Sequence, residues 1–197
     1  MKKQLLIVGI IALLITTVAL SGCEIPFFSP KSNIDEKPDI NILELETEIH
    51  NLINIERQSN GLSTLQYDTE LAEIARAHSQ DMVARNYFNH DNLEGQGPTE
   101  RAKSAGYDCF KDFGTYFTDS ISENIFQNNL YVKATHYKDG SILYDWSTQS
   151  EIAVSTVDGW MNSSGHRKNI LTSTFDKEGI GVAISSDYKV YITQDFW

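Results

Sequence analysis

The sequence predicts a mixed α+β domain, on three observations. Apolar residues recur at three- and four-residue steps in four stretches, which is the helical period. Two other stretches fold back as strand pairs around short turns, Asp139-Gly140 in one and Ser186-Asp187 in the other. The chain has 197 residues, 41% of them hydrophobic, enough for one domain of about 150 residues with its own core.

The chain opens with what reads as an export leader over residues 1–22. Lys2 and Lys3 form a basic start, and Leu5 to Leu20 form an apolar run interrupted by Gly9, Thr16 and Thr17. Leu20-Ser21-Gly22-Cys23 then has the spacing of a lipobox, with Cys23 as the lipidated first residue after cleavage. An uncleaved membrane anchor is the other reading of the same run. Either one places the bulk of the chain outside the cytoplasm and tethers it to a membrane. Residues 23–41 hold Pro26, Pro30 and Pro38, a density that resists helix and sheet, so they read as a tether. Its Phe27-Phe28 pair suits either the membrane interface or the domain surface.

The domain is expected over 42–197. Ile42, Leu45, Ile49, Leu52 and Ile53 describe a first helix that stops at Asn60-Gly61. Asp68 caps a second, with Leu71, Ile74, Ala75, His78 and Met82 on its apolar face. His78 is therefore expected to be a core histidine, away from any cleft. Gly95-Gln96-Gly97-Pro98 makes a loop, and Thr99 is placed to cap a short helix ending at Gly106. Ser122 reads as the N-cap of a further element, with Glu123 on its first turn. Residues 127–151 read as an elaboration, a hairpin from Leu130–Tyr137 and Ile142–Trp146, with His136 exposed in it. Ile152, Ala153, Val157, Trp160 and Met161 form a helix ending near Ser163, and Ser164 is placed to cap the turn that carries His166. A hairpin from Gly179 to Thr193 ends the fold, its Gly179 and Gly181 permitting a bulge or a close approach.

Charge and cysteine content narrow the partners. Without residues 1–22, which hold two lysines and no acids, 14 basic residues face 27 acidic ones and the formal charge moves from −11 to −13. Such a surface repels polyphosphates and excludes nucleic acid as a partner. Cys23 and Cys109 are the two cysteines. With Cys23 lipidated, Cys109 has no partner within the chain, so no disulfide framework is expected.

Three strings carry chemistry: Phe88-Asn89-His90, Ser122-Glu123-Asn124-Ile125 and Trp160-Met161-Asn162-Ser163-Ser164-Gly165-His166-Arg167. Each sets a His or Glu among small polar residues at an element boundary. Two imidazoles and a carboxylate brought together can bind a divalent metal or share a proton. His166 on the first turn of a helix is expected to stay neutral, as a ligand or base must.

In this order the strings resemble the CAP domain superfamily (cysteine-rich secretory, antigen 5 and pathogenesis-related 1), in its shorter prokaryotic form with W-M-N-S-x-G-H-R-x-N-I-L. The resemblance covers roughly residues 43–197. It implies a three-layer α-β-α sandwich with a central antiparallel sheet. It also implies a cleft of two His and two acids, with metal, zinc or another divalent ion, on the His pair. By motif His90 and His166 are the histidines and Glu123 the first acid. The second acid's place, three residues after Trp160, is Ser163, which cannot supply a charge.

Three functional classes follow. The first is a surface-tethered, non-enzymatic binding module whose cleft takes a small molecule, a lipid or a protein ligand. The second is a hydrolase in which Glu123 and a histidine activate water with or without metal. The third is a structural envelope protein with a vestigial cleft. No Gly-x-Ser-x-Gly elbow, His-Glu-x-x-His helix or papain-like cysteine setting occurs in the sequence. The expected reading is the binding module, with no catalytic residue assigned.

Overall fold

A computed structural model of the chain describes residues 36–197. The expected leader, the lipid-bearing Cys23 and the tether up to residue 35 lie outside the described residues. Residues 37–41, the end of that tether, carry neither helix nor strand. Among the described residues no helix is long and apolar enough to cross a membrane.

The elements in chain order are α1 (Ile42–Ser59), β1 (Gln66–Tyr67), α2 (Thr69–Arg85), α3 (Pro98–Ser104), β2 (Phe110–Asp112), β3 (Phe117–Asp119), β4 (Ser122–Asn129), β5 (Tyr131–His136), β6 (Ile142–Trp146), α4 (Gln149–Asn162), α5 (Ser164–Ile170), β7 (Lys177–Ile184) and β8 (Lys189–Phe196). The helices begin where local chemistry lets them. Asn41 Oδ1 accepts from the Glu44 amide, and Asp68 accepts from the amides of Glu70 and Leu71. Thr148 and Glu151 close a reciprocal capping box at the start of α4. Helix α2 ends at Asn86, which takes the left-handed conformation at φ 52° and turns the chain toward His90.

A four-stranded sheet in the order β1-β7-β8-β4 forms the middle layer. The pairs β7–β8 and β8–β4 are antiparallel, while the two-residue β1 runs parallel to β7. Strand alternation divides the faces. Ile180, Val182, Val190, Ile192 and Phe196 point to one side and join Leu45, Ile49, Ile53, Ile152, Val157 and Trp160 in the main core under α1 and α4. Gly179 and Gly181 point to the other side, against α2. A Cβ at Gly179 would lie 2.2 Å from the Ala72 nitrogen and one at Gly181 1.9 Å from the Arg76 nitrogen, so these glycines serve close approach. The result is the α-β-α sandwich, with helices on both faces of the sheet.

Long-range side chains close both edges of the sheet. Beyond β1, Tyr67 Oη donates to the Ile180 carbonyl at 3.2 Å, and Glu46, itself held by Arg76, accepts from the Val182 amide at 3.0 Å. On the outer edge of β4, Trp160 Nε1 donates to the Ile125 carbonyl at 3.2 Å and Asn169 Nδ2 to the Glu123 carbonyl at 3.1 Å. These bonds cover the edge of β4 over residues 123–125, beside the site.

Several expectations need correction. Ser122 starts a strand and not a helical turn, because residues 122–129 pair residue by residue with β8. The first turn of α3 has Pro98 at its first position after Gly97; the Thr99 hydroxyl instead accepts from the Ile121 amide at 3.0 Å. Ser163, without a side-chain bond, occupies the cap position of α5 expected for Ser164. The expected hairpin forms, as β5 and β6 over 131–146, but the elaboration is shorter than 127–151, since 127–129 belong to β4 and 149–151 to α4. The short β1 and the β2–β3 hairpin are additions that the strand patterns do not foretell.

Candidate functional site

The three strings meet at one end of β4. Glu123 stands on β4 pointing toward the α2 side of the sheet, buried between the layers. His90 leaves the loop after α2, and its Nδ1 lies 2.8 Å from Glu123 Oε1. A carboxylate only accepts, so that nitrogen carries a proton, and in the neutral ring Nε2 keeps the lone pair. The hydrogen bond to Glu123, then its charge, raises the pKa of His90 against the cost of partial burial. Arg101, from α3, reaches under the same loop. Its Nη2 donates to Glu123 Oε2, and its Nη1 donates to the carbonyls of His90 at 2.6 Å and Gln96 at 3.1 Å.

His166 sits on the first turn of α5, half-buried. Burial chiefly, and then the charge of His90, lowers its pKa. The ring is thus kept neutral, through desolvation and its fellow imidazole. Two asparagines fix its helix against Glu123's strand. Asn124 Nδ2 donates to the His166 carbonyl at 3.2 Å, and Asn169 Nδ2 donates to Asn124 Oδ1 at 2.9 Å as well as to the Glu123 carbonyl. Both asparagines therefore work in assembly. Ser163 joins α4 to α5, and its hydroxyl makes no hydrogen bond with the cluster.

His78 is buried as expected, but not away from this site. Its Nε2 donates to the Asn89 carbonyl at 3.0 Å, beside His90, and Glu123 and Arg101 both act on it electrostatically. Burial dominates and lowers its pKa. His78 supports the loop that presents His90, while His136 is exposed on β5, as expected. Cys109 is buried, with a free thiol whose pKa burial pushes up.

Sequence reasoning missed two members. Arg101 reads in the sequence as part of a short helix and no more. Asp195 on β8 pairs in register with Glu123 and is fully buried. The signal is there: Tyr191, Thr193 and Asp195 share a strand face, and an acid at such a position is unusual.

The donor chemistry suits a divalent metal at the two imidazoles. A carboxylate behind Nδ1 is the usual support for a metal-ligating histidine, and His166 is neutral. Both oxygens of Glu123 are engaged inside the site, by His90 and Arg101, and its side chain is 1% exposed. Among the described residues no three His, Cys, Asp or Glu side chains are grouped to hold a metal ion. His90 and His166 would be its protein ligands, with the remaining positions open.

A layered α-β-α sandwich on which these three strings meet at one end of β4 has the form of a CAP domain. The model of the cysteine-rich secretory protein family, CAP, matches residues 50–196, and the chain belongs to that family. It is 34% identical over 156 residues to the uncharacterized protein YkwD of Bacillus subtilis, covering 79% of this chain and 49% of YkwD. The chain thus spans about half the length of this relative. An extracellular protein of Bacillus anthracis containing an SCP domain aligns with a TM-score of 0.53 at 28% identity, over 79% of this chain and 40% of that one. An outer surface protein of Borrelia burgdorferi shares the fold with a TM-score of 0.59 at 17% identity, over 82% of this chain and 97% of that one.

Proposed function

We propose that this chain is a surface-tethered, extracytoplasmic CAP protein, a non-enzymatic binding module whose cleft takes a divalent metal such as Zn²⁺, or a small ligand, on His90 and His166. One observation carries the choice: His90 Nδ1 and Arg101 occupy both oxygens of Glu123. A carboxylate that meets an imidazole N–H and a guanidinium inside the site, with its side chain only 1% exposed, orients a histidine and presents neither oxygen to water in the cleft. The acid opposite it, Asp195, is wholly buried and cannot touch anything held in the cleft. Bound metal would supply Lewis-acid charge, and the imidazoles the affinity. Tethering through lipid on Cys23 follows from the lipobox spacing, and the acidic surface argues against nucleic acid.

Zinc titration of the full chain in detergent, with His90→Ala and His166→Ala beside it, tests the reading. A loss of tenfold or more in affinity in each variant is expected. Equal affinity in all three proteins would leave the cluster as a structural remnant. Peptide or ester hydrolysis that is lost in a folded Glu123→Gln variant would promote the hydrolase instead.

A further inference from the structure

Beneath His90 lie two carboxyl groups where the charges present suffice for one. Glu123 and Asp195 are direct partners across the antiparallel β4–β8 pair, so their side chains leave the sheet on the same face. Neighbouring positions of this kind hold Cβ atoms about 4.5–5.5 Å apart. Glu123 has a histidine N–H and a guanidinium on its two oxygens. Asp195 has neither: it is fully buried, no N–H or hydroxyl from the described residues reaches either oxygen, and the carboxyl set beside it across the strand pair is that of Glu123.

The groups facing Asp195 from each packed element can be named. Glu123 comes from β4, Arg101 from α3, His78 from α2 and Cys109 from the segment before β2; across β7 stands Gly179, which has no side chain. Arg101 is the cation among them, and it is bonded to Glu123. His78 is kept neutral by burial, and the Cys109 thiol is held protonated. Two buried carboxylates cannot both ionise beside one guanidinium without large cost.

We infer that Asp195 is a neutral carboxylic acid at physiological pH that donates to Glu123, so that the pair carries one negative charge and positions His90 through Glu123. A carboxylate accepts at about four lone-pair sites, so Glu123 takes this third donor beside His90 and Arg101. Its plane is thereby fixed from both sides. The His90 ring is held with Nδ1 inward and Nε2 outward. Asp195 is a positioning residue and touches nothing in the cleft.

Burial, followed by the charge of Glu123, raises the pKa of Asp195 well above the ordinary carboxylate range. A raised folded-state value contributes stability that is fully present below the unfolded pKa and lost as pH rises through the folded one. Asp195→Asn keeps a donor toward Glu123 and cannot ionise.

The test is infrared difference spectroscopy on the full chain at neutral pH, with NMR titration of His90. The wild type should show a protonated carboxylic acid band that Asp195→Asn abolishes. The asparagine variant should keep His90's titration unchanged and melt higher, relative to wild type, as pH increases. Asp195→Leu, which removes the donor, should shift His90's titration. Absence of the band in the wild type, its survival in Asp195→Asn, or an equal His90 shift in both variants overturns the inference. Should Asp195→Leu fail to fold, the band and the asparagine variant still decide. None of these readouts depends on what occupies the cleft, so failure to bind zinc would leave them standing.

Discussion

Asn169 Nδ2 donates to Asn124 Oδ1 at 2.9 Å and to the Glu123 carbonyl at 3.1 Å, tying the helix of His166 to the strand of Glu123. One amide group thus joins residues separated by 45 positions. It also caps an outer-edge carbonyl of the sheet. The second histidine reaches the first through this clamp, since α5 has only seven residues and no side-chain cap of its own.

Asn169→Leu should therefore cost about 1–3 kcal/mol, the price of stranding a part-buried acceptor pair. It should also loosen α5 more than the rest of the fold. Urea unfolding measures the first effect, and amide exchange across 164–170 the second. Uniform loss of protection throughout the domain would contradict a local clamp.

Cation binding should weaken in acid from a higher pH than a free imidazole implies. Binding requires both rings to be neutral. Free histidine titrates near about 6.5. The hydrogen bond to Glu123 raises the pKa of His90, while burial lowers that of His166. Falling pH therefore protonates His90 first, and that proton alone removes one ligand. The sign for stability runs the other way at His90. Its contribution is complete below the unfolded value and disappears as pH rises through the raised folded one. Zinc titrations at stepped pH should place the midpoint of affinity loss above the free-histidine value. A midpoint below it would mean that His166 governs.

The helices are legible because their signals are local. Asp68 caps and Asn60-Gly61 stops where the sequence says, and the apolar steps of α1 and α4 fall in the core. The error at Ser122 has the opposite origin. Ser-Glu-Asn carries the grammar of a helix start, and only pairing with β8, some seventy residues away, makes it a strand. Arg101 and Asp195 stay hidden for the same reason. Their meaning depends on meeting Glu123 from two other elements, and no spacing in the chain encodes that. Ser163 stands at the motif position of the second acid, while the acid that Glu123 does meet comes from β8 and is buried beneath the cleft.

Gly181→Ala should be among the most damaging small substitutions. The new methyl would lie 1.9 Å from the backbone nitrogen of Arg76, and backbone cannot swing aside as a side chain can. Helix α2 must then lift from the sheet, which also disturbs Ser79, whose hydroxyl donates to the Gly181 carbonyl at 2.9 Å. A cost of about 3 kcal/mol or more is expected from overpacking of this kind. Gly165→Ala serves as the control, since a Cβ there meets nothing within 4 Å. Equal denaturation midpoints for the two variants would refute the close-approach account.

Glu123→Gln should separate support from ligation. The amide keeps the shape but offers Arg101 one neutral acceptor in place of a carboxylate, and the Glu123 side chain is only 1% exposed. Breaking a buried pair from one side costs about 3–5 kcal/mol, because the other charge stays behind unpaired. Here Arg101 still has the carbonyls of His90 and Gln96, so the lower end of that range is expected. His90 loses the acceptor that fixed its tautomer. If Glu123 acts from behind the histidine, zinc affinity should fall about 10–100-fold while binding remains detectable, as it does when a supporting carboxylate is removed. His90→Ala should fall further, because it deletes a ligand. Zinc binding as weak in Glu123→Gln as in His90→Ala, in proteins shown to be folded, would make the carboxylate itself a ligand.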